Sequence, residues 1–180
     1  MEIFSYLPSL GQLFSQISSD IGHAQLYWII AFASAMLVLH GLYIMLVVIS
    51  FHKLVGWLSS KRHMKKDFFH VFRLAAVIAY FVAILLVIAG HFTDIIMWTY
   101  ALIPLKIFVS NPDALYFVGE MYVTVGFGSF QLEKNWRILP IIIAFTGIFA
   151  ASMSAAALFN MLSSLIDKSR LNENGQQSIT

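Results

Sequence analysis

Cysteine is absent from the 180 residues, so neither a disulfide nor a thiolate metal site can be built, and the redox state of the compartment leaves no mark. Charge is scarce as well. Asp, Glu, Lys and Arg make up 11% of the chain, against about a quarter in an ordinary soluble domain. Hydrophobic residues account for 59% and the mean hydropathy is +0.80. Such a chain is matched to a bilayer, not to water. Residues 1–52 hold no Lys or Arg, which removes the basic n-region of a signal peptide. There is no His-Glu-x-x-His, no Gly-x-Ser-x-Gly and no pair of carboxylates at helical spacing, so nothing equips the chain as an enzyme. No span carries an arginine at every third position, which excludes a voltage sensor of the usual form.

Three stretches reach the length of about 20 apolar residues that a bilayer crossing takes. They occupy residues 25–52, 70–92 and 138–166, and the last contains no Asp, Glu, Lys or Arg. Basic residues are placed unevenly. Lys53, Lys61, Arg62, Lys65, Lys66 and Arg73 crowd into or just beyond the connection 53–69, and Lys168 and Arg170 follow the third span. Only Lys106, Lys134 and Arg137 lie between the second and third spans. The positive-inside bias then puts the connection and the tail 167–180 in the cytoplasm, with the N terminus and the 93–137 stretch outside, in a plasma (inner) membrane. A tail of this length has no room for a nucleotide-binding or calcium-binding domain.

In residues 1–24, Ile3, Leu7, Leu10, Phe14 and Ile17 recur at helical spacing, which predicts an amphipathic interfacial helix. The stretch from Lys53 to Lys66 mixes Leu54, Trp57 and Leu58 with basic groups; it reads either as a solvated loop or as a surface for anionic lipid. Nothing indicates a nucleic-acid partner. Trp28, Trp57, Trp98 and Trp136 fall near the expected interfaces and read as belt residues. His40, inside the first span, is either a hydrogen-bonded neutral histidine or a proton sensor.

Between the second and third spans, residues 93–111 are apolar but interrupted by Pro104 and Lys106, and are expected to form an interfacial turret, with a short extra span as the alternative. Asn111-Pro112-Asp113 then reads as an N-cap, a first-turn proline and an acid favourable to the helix dipole. The helix it opens, 112–123, is about 18 Å long, roughly half a bilayer. It cannot cross, so the chain must turn back through Thr124-Val125-Gly126-Phe127-Gly128. Irregular backbone at that depth must be buried in protein or line a wet cavity. Gly126 and Gly128 supply the positive φ angles that let successive carbonyls face one way.

This order of span, half-helix, Thr-Val-Gly-Phe-Gly and long apolar helix resembles the pore domain of potassium channels, bacterial two-span type, over residues 70–166, with an extra N-terminal transmembrane helix. The segment Ala114-Leu115-Tyr116-Phe117-Val118-Gly119-Glu120 is similar to their pore helix. The resemblance implies an all-α membrane protein of three transmembrane helices plus a re-entrant pore helix and filter loop. The expected parts are an outer helix 70–92, a pore helix 112–123, a filter 124–128 and an inner helix 138–166. It further implies a homotetramer in which the carbonyls of Thr124, Val125, Gly126 and Phe127, the Thr124 hydroxyl and Gly128 coordinate K+ as permeant ion, with no cofactor. Gly147 stands near the family's hinge glycine and is a candidate gating hinge; the small residues from Ala150 to Ala157 equally allow a packing role.

Three positions depart from the family pattern. Phe127 replaces the commoner Tyr, Ser129 stands where an Asp usually follows, and Val123 replaces a Thr. Glu120 is then expected to find another donor, Ser129 or a backbone N–H. A loosely held filter follows from these changes. Two alternatives to a selective channel therefore remain: a weakly selective cation channel, and a non-conducting structural or regulatory subunit of a membrane complex.

Overall fold

The computed structural model describes residues 9–12, 15, 23–60, 68–128 and 130–177. Most of the expected interfacial helix of residues 1–24, and residues 61–67 of the basic connection 53–69, lie outside them. Among the described residues, four α-helices have defined bounds: α1 (His23–Ser60), α2 (Phe68–Leu102), α3 (Asn111–Tyr122) and α4 (Leu139–Gln177). The chain is all-α, and no strand occurs among the described residues. Among the described residues, three helices are long and apolar enough to cross a membrane, over Tyr27–Leu58, Ala76–Leu105 and Leu139–Asp167.

Each long helix buries one stripe and leaves the rest exposed. On α1 the stripe is Ile29, Ala33, Met36, His40, Ile44, Val47, Phe51 and Val55, spaced three or four residues apart as a single helical face requires. On α2 it runs Ala76, Ala79, Ala83, Val87, Asp94, Trp98 and Leu102. The alanines of α2 admit α1 closely, because no long side chain separates the two backbones. One core gathers Ile44, Val47, Phe51, Ala79, Ala83 and Met161; the other surrounds α3 with Trp98, Leu102, Phe117, Val118, Leu139 and Ile143. Thus α3 is wedged between α2 and α4 while α1 covers the outer side of both.

The structure revises several expected boundaries. Residues 93–102 are not part of a turret: α2 continues through them to Leu102. Thr93 and Thr99 satisfy their hydroxyls inside the helix, on the carbonyls of Ala89 and Ile95 at 2.9 and 2.8 Å, and Asp94 is buried with partners. The helix stops at Pro104, within a 3₁₀ turn over Ile103–Leu105 closed by Lys106 at φ 51°. Likewise α1 runs on to Ser60 and α4 to Gln177, past the expected ends of the first and third spans. At α3 the N-cap is Ser110, not Asn111; the Ser110 hydroxyl accepts from the Asp113 N–H at 3.3 Å. Trp98 is no belt residue, being wholly buried.

Candidate functional site

The 12 residues of α3 extend about 18 Å, so the half-helix ends inside the fold and the chain reverses there. Its end is stitched to the following loop by main-chain bonds. The N–H of Val123 donates to Gly119 O at 3.1 Å and that of Thr124 to Met121 O at 3.0 Å. Those of Val125 and Gly126 both donate to Glu120 O, at 3.0 and 3.3 Å. In a trans peptide the carbonyl points opposite to the N–H of the next residue. With the N–H groups of Val125 and Gly126 turned toward α3, the carbonyls of Thr124 and Val125 therefore point away from it. Residues 124–128 are exposed on that side of a single chain.

Backbone angles follow the same logic. Thr124, Gly126 and Gly128 all have positive φ, at 61°, 54° and 72°. Glycine takes such angles freely. A β-branched threonine does not, and holding it there costs on the order of 1–3 kcal/mol that the surrounding bonds must offset. Every second residue of the loop is thus left-handed. The helix dipole of α3 adds a negative field, its C-terminal end carrying the equivalent of about half a charge at the base of this loop.

Behind the loop lies a polar network that joins all four helices. The Tyr122 hydroxyl donates to Asp94 Oδ2 at 2.7 Å, and His91 Nδ1 lies 3.1 Å from the same hydroxyl. From α1, His40 Nδ1 approaches Asp94 Oδ2 to 2.6 Å, while its Nε2 is 3.1 Å from Ser154 Oγ on α4. The short His40–Asp94 approach lacks hydrogen-bond alignment, and His40 Nδ1 is buried without a hydrogen-bond partner. Next to it, Trp98 Nε1 donates to Thr146 Oγ1 at 3.1 Å, and that hydroxyl donates to Ile143 O at 2.7 Å. Gly147 brings α4 against the end of α3: a Cβ here would overlap the Tyr122 carbonyl oxygen and lie 2.8 Å from its carbon. On the far side of the loop Phe130 packs edge-on against Phe117 and Phe108.

The residues singled out from sequence are brought together unevenly. Thr124 to Gly128 form one continuous loop at the end of α3, and Glu120 supports it through its main-chain carbonyl. Its side-chain Oε2 is buried without a hydrogen-bond partner, and Ser129 lies outside the described residues. Val123 and Phe127 are exposed. Sequence reasoning missed Asp94, His91, Tyr122 and the Trp98–Thr146 pair. A signal existed: an acid within an apolar stretch is costly unless paired, and His91, Asp94 and Trp98 lie on one helical face. A cavity of about 480 Å³, lined by Ile88, His91, Ile95, Tyr122, Thr124 and Gly147 among others, adjoins the network and the base of the loop.

A half-helix and an irregular loop held between two spanning helices define a multi-pass membrane protein with a re-entrant segment. Residues 81–164 match the model of the family described as an ion channel, from within α2 to within α4, and so take in the half-helix and the loop. This part of the chain is thus similar to that ion-channel family, and α1 lies outside the match. No curated protein and no solved structure matches the chain.

Proposed function

We propose that the chain is the subunit of a homotetrameric potassium channel whose ion pathway is lined by residues 124–128. The observation that carries this reading is the direction of the carbonyls. Those of Thr124 and Val125 face away from α3, and left-handed angles at Thr124, Gly126 and Gly128 continue the alternation. Four copies around one axis would stack these carbonyls, with that of Phe127 and the Thr124 hydroxyl, into rings that replace the water around K+. One chain cannot surround an ion. Gly128 ends the row and lets it open outward, and the four α3 dipoles favour a cation below it. Adjacent rings let an entering ion displace a departing one.

In this reading the tetramer sits in a plasma (inner) membrane, with the connection and the C-terminal end of α4 inside and the mouth of the loop outside. Lys53 and its neighbours face anionic headgroups. No cofactor takes part. Gly147 serves close packing in this conformation, and a hinge at the same place would act by loosening that contact. The network through Tyr122 stands in for the missing family groups at Val123, Phe127 and Ser129 and supports a selective filter. The test is purified tetramer in liposomes under a potassium gradient. Valinomycin-independent K+ flux that exceeds Na+ flux is expected; no flux from verified tetramer would overturn the reading.

A further inference from the structure

We propose that His40, His91 and Asp94 form a binding site for a divalent transition metal of the Zn²⁺ class. One ring nitrogen of each histidine and a carboxylate oxygen of Asp94 lie within 4.8 Å of one another, close enough for small side-chain rotations to bring all three onto one ion. Two imidazoles and one carboxylate suit zinc and its neighbours, whereas calcium and magnesium take oxygen ligands.

The state of His40 adds a second, independent observation. It is almost fully buried, at 3% exposure, and its Nδ1 reaches Asp94 Oδ2 at 2.6 Å without being aligned for a hydrogen bond. A proton shared by the two would lie along the line between them. A lone pair aimed beside that line leaves room for a third centre, with the two atoms opening from 2.6 Å to the roughly 3.3 Å that tetrahedral ligands of one ion keep. The far side of the ring is compatible: Nε2 stands 3.1 Å from Ser154 Oγ, a hydroxyl able to accept from Nε2–H, and that tautomer leaves Nδ1 free to ligate. Tyr122 does the same for the carboxylate, donating to Asp94 Oδ2 at 2.7 Å. Each of these two ligands thus already has the outer partner that metal-bound histidines and carboxylates require.

Access and need are also met. His91 is half-buried and lines the 480 Å³ cavity, which offers a route from outside the helix packing. A carboxyl at this depth is costly as an anion, and a bound cation would stabilise it. A bound metal would tie α1 to α2 directly behind Tyr122, and so would couple the extra helix to the base of the loop.

The full chain, purified in detergent and stripped with chelator, is titrated with Co²⁺ and with Zn²⁺. The expected result is one tightly held ion per chain, with the visible absorption of Co²⁺ in a low-coordinate nitrogen–oxygen site and a Zn²⁺-dependent rise in thermal midpoint. His91→Gln and Asp94→Asn should each abolish the absorption and the shift. Ser154→Ala, which keeps every ligand, should weaken binding by about 10–100-fold. Size-exclusion profile and helicity establish that each variant is folded, and neither readout depends on ion flux. Equal Co²⁺ absorption in wild type and His91→Gln, or no Co²⁺ uptake by folded wild type, would overturn the proposal and leave the cluster as a proton-linked pair.

Discussion

Replacing Gly147 by alanine puts the packing of the inner helix under direct strain. The added Cβ would overlap the Tyr122 carbonyl oxygen, lie 2.8 Å from its carbon and 3.2 Å from its Cα, all of them backbone atoms that cannot rotate away. Carbon–carbon contacts settle near 3.5 Å, so α4 must retreat from α3 by roughly 0.7 Å or more. Overpacking of this sort costs about 1–3 kcal/mol, and a backbone obstacle belongs at the upper end. Alanine regains about 1 kcal/mol of helix propensity. The net loss is about 2 kcal/mol per chain, close to a 30-fold shift in the folding equilibrium. Unfolding in mixed micelles, titrated with denaturing detergent and followed by tryptophan fluorescence, measures it. Gly41→Ala is the control, since its Cβ would find only Met153 Sδ at 3.8 Å and should be neutral or stabilising by up to about 1 kcal/mol. Because Tyr122 lies two residues ahead of Thr124, the same retreat should lower K+ flux. If Gly147→Ala were as stable as wild type, the close packing of α4 on α3 would be refuted, and a hinge role alone would remain for the glycine.

Further outcomes follow from the contacts behind the loop. Tyr122→Phe removes a hydroxyl donor from buried Asp94 and should cost about 1.5–3 kcal/mol in the same unfolding assay, with K+ over Na+ discrimination reduced in liposomes. Trp98→Phe and Thr146→Val, combined in a double-mutant cycle, should show a coupling of about 0.5–1.5 kcal/mol; additivity would remove that hydrogen bond from the account. Ser110→Ala deletes the cap of α3 and should destabilise by about 1 kcal/mol, whereas Asn111→Ala should have a much smaller effect. Gly126→Ala forces a side chain onto φ 54° and should abolish flux while assembly, checked by size exclusion, persists.

What could be read in the sequence was what composition and local spacing encode. The three apolar spans announce themselves by length, and the half-helix by its proline and by being too short to cross. The loop was legible because two glycines one residue apart restrict what a backbone can do. Local signals failed where distant residues decide. Thr93 and Asp94 look like the end of a helix, yet one hydroxyl bonds the preceding turn and the carboxylate meets Tyr122, 28 positions on, and His40 on another helix. Trp98 sits where an interfacial tryptophan belongs, but Thr146 takes its N–H inside the core. Ser110 and Asn111 are both good caps side by side, and only the dihedral angles select the serine, extended at φ −129° and ψ 154°. The expectation of a poorly supported filter rested on neighbours in sequence. Behind the loop stand also Asp94, His91 and His40, in contact through or beside Tyr122, and no local pattern links them to it.

The central claim is that the carbonyls of residues 124–127 form the ion pathway. Rubidium scatters anomalously and replaces potassium in such sites, so diffraction from crystals of the assembled protein grown in Rb+ locates the ions without reference to flux. The account requires a row of anomalous peaks on a fourfold axis, between the carbonyl rings of Thr124, Val125, Gly126 and Phe127. An axis lined by other residues, or peaks absent from between these rings, would contradict it.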